Sequence, residues 1–146
     1  MQKLSLNLTQ NYILSYKRKI LQNIIIDRKS KYTVVWWYVD QKENIKKFMW
    51  DLLVDKYFKK ATHNSYAYRI FLENWSILEW KNDDWETWAW NCILRELQRE
   101  NMVNTIVVVT RYFWWIHLNA DRFKNVINAT KEILKLKKNF NNIDFF

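Results

Sequence analysis

The chain of 146 residues contains no glycine and no proline, whereas average usage would give about 17 of the two together. Without glycine, a turn that needs a positive φ has to be built on asparagine or aspartate. A glycine-rich phosphate-binding loop is excluded for the same reason. This composition indicates either a designed or altered sequence or a very divergent lineage.

Cysteine and long apolar runs are also scarce. The single cysteine, Cys92, excludes an internal disulfide. Lys17, Arg18 and Lys19 interrupt the first apolar segment, so no secretory signal is predicted. No apolar run approaches the length of a membrane span. We therefore expect an intracellular, cytoplasmic protein with no membrane partner.

Metal ligands and catalytic groups are few. The two histidines, His63 and His117, lie far from Cys92 along the chain and form no zinc-ligand spacing. Asp83 and Asp84 are more typical of a solvated acidic turn than of a metal site. A Cys–His nucleophile pair stays open, although a lone cysteine in an apolar strand usually belongs to the core. The sequence therefore predicts no metal, no cofactor and no enzyme activity.

Tryptophan and positive charge are abundant instead. Five of the ten tryptophans stand close together, at positions 75, 80, 85, 88 and 90, among several carboxylates. Aromatic faces stack on a flat cationic ring, and a carboxylate accepts hydrogen bonds from the edge of such a ring. The net charge of +9 favours an anionic partner such as RNA or a nucleotide. The alternative is that these tryptophans point inward from alternate positions of a β-sheet.

The apolar periodicity predicts one α+β domain over residues 1–146. Residues 1–31 form an N-terminal segment that favours a basic amphipathic helix, although a strand could begin at Ile24. Strands are predicted at 32–40, 66–71, 88–94, 105–112, 113–118 and 143–146, and helices at 44–60, 95–101 and 121–136. The expected architecture is a mostly antiparallel sheet with two or three helices packed on one face.

The helix predicted at residues 44–60 carries a second apolar surface. Its main stripe consists of Ile45, Phe48, Met49, Leu52 and Leu53, with Asn44 as the expected N-cap. Trp50 falls off that stripe, near Val54 and Tyr57. We expect these three residues to form an exposed partner-binding patch; the alternative is that the N-terminal helix covers them.

The order of these landmarks resembles the cap-binding translation initiation factor 4E family over residues 32–146. The corresponding stretches are VVWWYVD, KKFMWDLL, YRIFLENWSILEW, WAWNCIL, IVVVTR and WWIHLNADRFKNVINATKEILKL. Their succession, rather than any single motif, carries the resemblance. It implies a curved antiparallel sheet with helices on its convex back and a binding slot in the concave face.

The resemblance implies that this slot binds the 7-methylguanosine cap of mRNA, or a 7-methylguanosine nucleotide, between two aromatic rings. Trp80 matches one stacking ring, and Trp37 or another ring would substitute for the other. The family's Glu position is occupied here by Lys81, so the acceptor for the guanine edge would be Glu79. Alternatively, it would be the glutamate of the Trp85-Glu86 pair.

Further positions carry over from the same family. Arg111 matches the arginine that contacts the cap phosphates, and Trp115 approximates the tryptophan near the methyl group. Trp50 matches the dorsal tryptophan that binds a helical peptide from a translation scaffold or a repressor protein. The implied mechanism is binding without chemistry.

Three other interpretations stay open. The chain could be a general single-stranded RNA-binding domain that uses aromatic platforms. It could be a designed or structural domain without a ligand, its tryptophans all in the core. It could also be a partner-binding protein that retains the Trp50 surface and lacks the slot.

Overall fold

A computed structural model describes residues 18–82 and 88–141, without the side chains of residues 80–82 and 137–141. The strands are β1 (Arg18–Asp27), β2 (Ser30–Tyr38), β3 (His63–Phe71), β4 (Ile77–Asn82) and β5 (Thr105–Tyr112). The helices are α1 (Lys42–Val54), α2 (Lys56–Lys59), α3 (Ala89–Arg99) and α4 (Asp121–Asn141).

The five strands form one sheet in the order β1-β2-β5-β3-β4. Every neighbouring pair is antiparallel. In the central β2–β5 pair, Tyr32 lies opposite Arg111, and Trp37 lies opposite Ile106. The predicted α+β class with its mostly antiparallel sheet is confirmed.

Hydrophobic clusters cover both faces of this sheet. The first face packs against α3 and α4, and its core includes Tyr32, Val34, Trp36, Val107, Val109, Ile93, Leu97, Val126 and Ile133. The second face packs against α1 and α2, and its core includes Val35, Trp37, Ile106, Val108, Tyr68, Ile70, Phe48, Leu52 and Phe58. The helices were expected on one face only. They lie on both because β2 and β5 are apolar at successive positions, and a strand that is apolar on both sides needs cover on both sides.

Several predicted elements match the structure. The strands at 32–40, 66–71 and 105–112 are confirmed as β2, β3 and β5, and the helix at 121–136 as part of α4. The helix at 44–60 is divided in two, because Asp55 is extended at φ −70° and ψ 122°. Asp55 then caps α2 by accepting from the Tyr57 N–H. The N-cap of α1 is Gln41 rather than Asn44.

Three predictions are wrong. Residues 88–94, expected as a strand, mostly belong to α3, because Ala89, Ile93 and Leu97 recur every four residues and share its buried side. Residues 113–118, also expected as a strand, lie in the loop between β5 and α4. The N-terminal segment is not helical over residues 18–27, which form β1. Residues 1–17 and the strand expected at 143–146 lie outside the described residues.

The turns show how the chain folds without glycine. Eight described residues have a positive φ, and four of them are the asparagines Asn23, Asn101, Asn104 and Asn119. This agrees with the expectation that asparagine replaces glycine in such turns. The other four are Arg28, Lys29, Trp75 at φ 67° and Trp88 at φ 73°, and this conformation is least favourable for the bulky tryptophans.

Replacing Trp88 with glycine should raise the free energy of unfolding by about 1 kcal/mol. A left-handed conformation costs a residue with a Cβ about 1–2 kcal/mol, and the greater freedom of glycine in the unfolded chain offsets roughly 0.5–1 kcal/mol of the gain. Trp88 is 58% exposed, so its removal costs less packing than removal of a core tryptophan. The midpoint of urea unfolding at unchanged m-value measures the effect.

Trp75→Gly is the matched control. It removes the same unfavourable backbone strain but also an edge-to-face contact with Phe71, whose ring centroid lies 5.7 Å from that of Trp75. Such a contact is worth about 0.5–1.5 kcal/mol. We expect no net gain from it. A destabilised Trp88→Gly variant would contradict the strain explanation.

No helix in the described part of the chain is both long enough and apolar enough to cross a membrane.

Candidate functional site

Trp37 and Arg111, both expected in one ligand slot, lie on opposite faces of the sheet. Trp37 belongs to the α1 and α2 side, is 8% exposed and stacks on Phe48 at a centroid distance of 4.5 Å. Arg111 is also buried, but it pairs with Tyr32, which belongs to the α3 and α4 side. Because side chains alternate along a strand, these two residues cannot line one slot.

Glu79 takes part in an internal ion pair rather than in an open site. Its carboxylate accepts from Arg69 Nε at 2.9 Å across the β3–β4 pair, and it also accepts from Gln98. Trp80 occupies β4, opposite Tyr68, while its side chain lies outside the described residues. The predicted site residues Trp85 and Glu86 lie wholly outside them.

The expected partner patch is only partly assembled. Trp50 and Val54 are 74% and 68% exposed on α1, as their off-stripe spacing predicts. Leu53 is partly exposed beside them. Tyr57 does not join this patch, because the break at Asp55 places it in α2 with its hydroxyl bonded to residues of β1 and β2.

A cleft lies on the α1 and α2 side of the sheet, where the β1–β2 turn, α2 and the end of β5 meet. Its volume is about 410 Å³, and we call it the aromatic cleft. The described residues that line it are Asn23, Lys29, Lys31, Tyr57, Tyr112, Phe113 and Trp114. A pocket of this size falls within the range of ligand-binding clefts in proteins.

Backbone hydrogen bonds hold the loop that forms one wall of the aromatic cleft. The N–H of Phe113 donates to Thr62 Oγ1 at 3.0 Å, and the N–H of Trp114 donates to Ser30 Oγ at 2.9 Å. Thr62 in turn donates its N–H to the Arg111 carbonyl. The loop is therefore fixed to both the β1–β2 turn and the start of β3.

Tyr57 and Tyr112 form the floor of the aromatic cleft. Their rings lie 4.9 Å apart, and the Tyr112 hydroxyl donates to the backbone carbonyl of Tyr57. The Tyr57 hydroxyl shares a hydrogen bond with Thr33 Oγ1 at 2.6 Å and donates to Asn23 Oδ1 at 3.1 Å. Since the hydroxyls are satisfied within the protein, the floor offers mainly ring surface to a ligand.

The charge around the aromatic cleft is mostly positive. Lys29 Nζ lies 5.5 Å from the centroid of the Trp114 ring, and Lys31 pairs with Tyr112 across the β2–β5 ladder. Burial raises the pKa of Tyr112, and the neighbouring Tyr57 and Asp55 raise it further. Tyr112 therefore stays protonated at neutral pH and keeps its hydrogen bond to Tyr57.

The sequence analysis missed the aromatic cleft, although part of its signal was visible. The run of aromatic residues from Tyr112 to Trp115 stands out, but the predicted strand at 113–118 placed it in a hairpin. Trp115 is 85% exposed in the β5–α4 loop and is absent from the described lining. Lys29 and Tyr57 reach the cleft from distant parts of the chain, which only the fold brings together.

The described residues contain no cluster of metal-ligating side chains. Among residues 18–82 and 88–141, no three His, Cys, Asp or Glu side chains gather closely enough to hold an ion. Asp83 and Asp84 lie outside the described residues. Cys92 is half-buried in α3, not in the expected strand.

The sequence has relatives among known proteins. Residues 28–134 match the sequence profile of the Impact N-terminal domain. The protein IMPACT of Rattus norvegicus is 38% identical over 119 residues, which are 81% of this chain and 37% of that protein. The chain thus spans about a third of the length of the curated relatives it matches.

Two solved structures are similar to this one. The first, a crystal structure of a hypothetical protein, has a TM-score of 0.70 at 21% identity. The match covers 81% of this chain and 57% of the chain in that structure. The second is the structure of the two-domain translational regulator Yih1, with a TM-score of 0.50 at 32% identity. That match covers 77% of this chain and 45% of the Yih1 chain. The first supports the fold alone.

These findings overturn the resemblance to the translation initiation factor 4E family. The order of aromatic strands and helices that suggested it is not specific, whereas residues 28–134 match the profile of the Impact N-terminal domain. Binding of a capped mRNA or a 7-methylguanosine nucleotide was therefore a wrong prediction, consistent with the separation of Trp37 from Arg111. The alternative of a general single-stranded RNA-binding domain gains no support from these relatives.

Proposed function

The chain belongs to the family of the Impact N-terminal domain, and from this we propose that it regulates translation by binding another protein, without catalysing a reaction. The observation that carries the proposal is its similarity to the translational regulator Yih1. The matched residues 28–134 run from the β1–β2 turn into α4 and therefore include most of both hydrophobic clusters. Because the match covers only about a third of those relatives, their activity as whole proteins comes to this chain only as part of the proposal.

The described surface supports a binding role. Large apolar side chains are exposed in groups, including Trp114, Trp115 and Ile116 in the β5–α4 loop. Exposed apolar patches of this kind often mark protein interaction sites. Binding to a component of the translation apparatus would take place in the cytoplasm.

The α1 surface formed by Trp50, Leu53 and Val54 is a second place where a protein could bind. Leu53 and Val54 each lie about one turn from Trp50 along one exposed side of the helix. A helical segment of a partner could cover such a stripe with its own apolar face. We propose this contact as an addition to the aromatic cleft, with Tyr57 assigned to the cleft.

Purified chain added to a eukaryotic cell-free translation extract should change the synthesis of a reporter protein. The change should grow with concentration and then saturate, because a regulator acts through a limited number of partner molecules. Reporter yield against chain concentration is the measurement.

An unrelated basic protein of equal net charge is the control, since a charge of +9 alone could disturb the extract. Reporter synthesis that stays constant at every concentration, or that responds equally to the control, would contradict the proposed function.

A further inference from the structure

We propose that the aromatic cleft binds an acidic protein segment that inserts one aromatic or aliphatic side chain between Tyr57, Tyr112 and Trp114. The proposal rests on the protein-binding function above and adds the site and the chemistry of the partner. It depends on three features of the cleft, namely its satisfied floor, its charged rim and its size.

The floor favours an apolar anchor. The hydroxyls of Tyr57 and Tyr112 already bond to Thr33, Asn23 and a backbone carbonyl within the protein. A polar group on the ligand would find few partners at the floor and would lose its own hydration. An aromatic or aliphatic side chain loses nothing and gains contact with the rings.

The rim favours carboxylates beside that anchor. Lys29 and Lys31 are both exposed, and neither forms an ion pair with a carboxylate among the described residues. The nearby cation Arg28 differs, because it is already paired with Asp121 at 2.7 Å. Asp55 is the acidic group closest in sequence to the floor, and it is engaged in capping α2. Two lysines at the rim, without a carboxylate partner in the described part of the chain, therefore match negative charge on the segment.

The size and the total charge distinguish this partner from other occupants. A volume of about 410 Å³ suits a few side chains of a peptide rather than a folded domain. A second copy of this chain would bring another net charge of +9 and be repelled. A flexible polyanion would prefer a row of cations, whereas this cleft offers two lysines beside a mainly aromatic surface.

Fluorescence polarisation tests the proposal with a labelled peptide in which one phenylalanine is flanked on each side by glutamates. Two variant peptides replace the phenylalanine with alanine or the glutamates with lysines. We expect measurable binding of the acidic phenylalanine peptide. Both variant peptides should bind at least about tenfold more weakly. Binding should weaken as salt concentration rises.

Variants of the chain locate the site. Trp114→Ala should weaken binding about tenfold or more, while Trp88→Ala, which removes an exposed tryptophan just before α3, should leave it unchanged. Lys29→Gln combined with Lys31→Gln should weaken binding and reduce its dependence on salt. Circular dichroism checks that each variant is folded, which is expected because the Trp114 loop is held through its backbone.

Several results would overturn the assignment. These are absence of binding, equal binding of the alanine peptide, retained binding by Trp114→Ala, and displacement by inorganic polyphosphate at the same charge concentration. If the chain alters reporter synthesis but fails these tests, the proposed function stands and the aromatic cleft is rejected as its site. If the peptide binds and reporter synthesis is unaffected, the aromatic cleft stands as a binding site and the proposed function is rejected.

Discussion

Replacing Trp37 with alanine should lower the free energy of unfolding by about 3–5 kcal/mol, the usual cost of removing a large aromatic side chain from a core. Trp37 is 8% exposed, stacks on Phe48 and lies opposite Ile106 in the central strand pair. Truncation would leave a cavity between the sheet and α1 that the rigid surrounding strands cannot fill. Chemical unfolding followed by circular dichroism measures the loss.

The matched control is Trp115→Ala, which makes the same chemical change at a position that is 85% exposed. It should alter stability by less than about 0.5 kcal/mol. Since small domains are stable by only about 5–15 kcal/mol, Trp37→Ala could leave too little folded protein to measure. Trp37→Phe then serves instead, and its cost should be about 1–3 kcal/mol, because phenylalanine leaves a smaller cavity than alanine. Equal effects of the two alanine variants would show that Trp37 is not a core residue.

Replacing Arg69 with alanine should cost about 2–4 kcal/mol of unfolding free energy. Its side chain is 9% exposed and pairs with Glu79 at 2.9 Å. It also donates to the carbonyls of Met102 at 2.9 Å and Leu97 at 3.4 Å. Without Arg69, the end of α3 loses a cation that satisfies its carbonyl groups, and Glu79 loses its partner. Thermal or urea unfolding measures the change.

A double-mutant cycle separates the ion pair from the other contacts of Arg69. Arg69→Met keeps most of the apolar stem, and Glu79→Gln removes the charge while keeping the shape. Glu79 is about one-third exposed, so water shields part of the interaction. We expect a coupling energy of about 1 kcal/mol or more. Strictly additive effects would show that the two side chains stabilise the protein independently.

Much of the fold could be predicted from local patterns. The runs YTVVWWYVD and TIVVVTRY are β-branched and aromatic, which a strand accommodates well, and they form β2 and β5. The helical spacing of Phe123, Val126, Ile127, Ile133 and Leu134 likewise indicated α4. The off-stripe position of Trp50 correctly indicated its exposure. In each case the pattern extends over enough residues to distinguish a period of 2 from one of 3.6.

The errors occurred where the apolar pattern is too short to distinguish these two periods. Trp88 to Leu94 is a short apolar run, and periodicity alone cannot tell a buried strand from a buried helix over seven residues. The aromatic run after Tyr112 reads as a strand on propensity. It forms a loop because Thr62 and Ser30 take the N–H groups of Phe113 and Trp114 that a strand would use for pairing.

The sequence by itself determined the α+β class, the central strands, the absence of an internal disulfide and the use of asparagine in several positive-φ turns, because these follow from residue type and local spacing. Tertiary structure alone decided that Trp37 is in the core, that Glu79 pairs with Arg69 and that Tyr57 leaves the α1 surface. It also assembled the aromatic cleft from Lys29, Tyr57 and Trp114. These contacts join residues far apart in the chain, and they depend on the strand register and the break at Asp55, which no local pattern specifies.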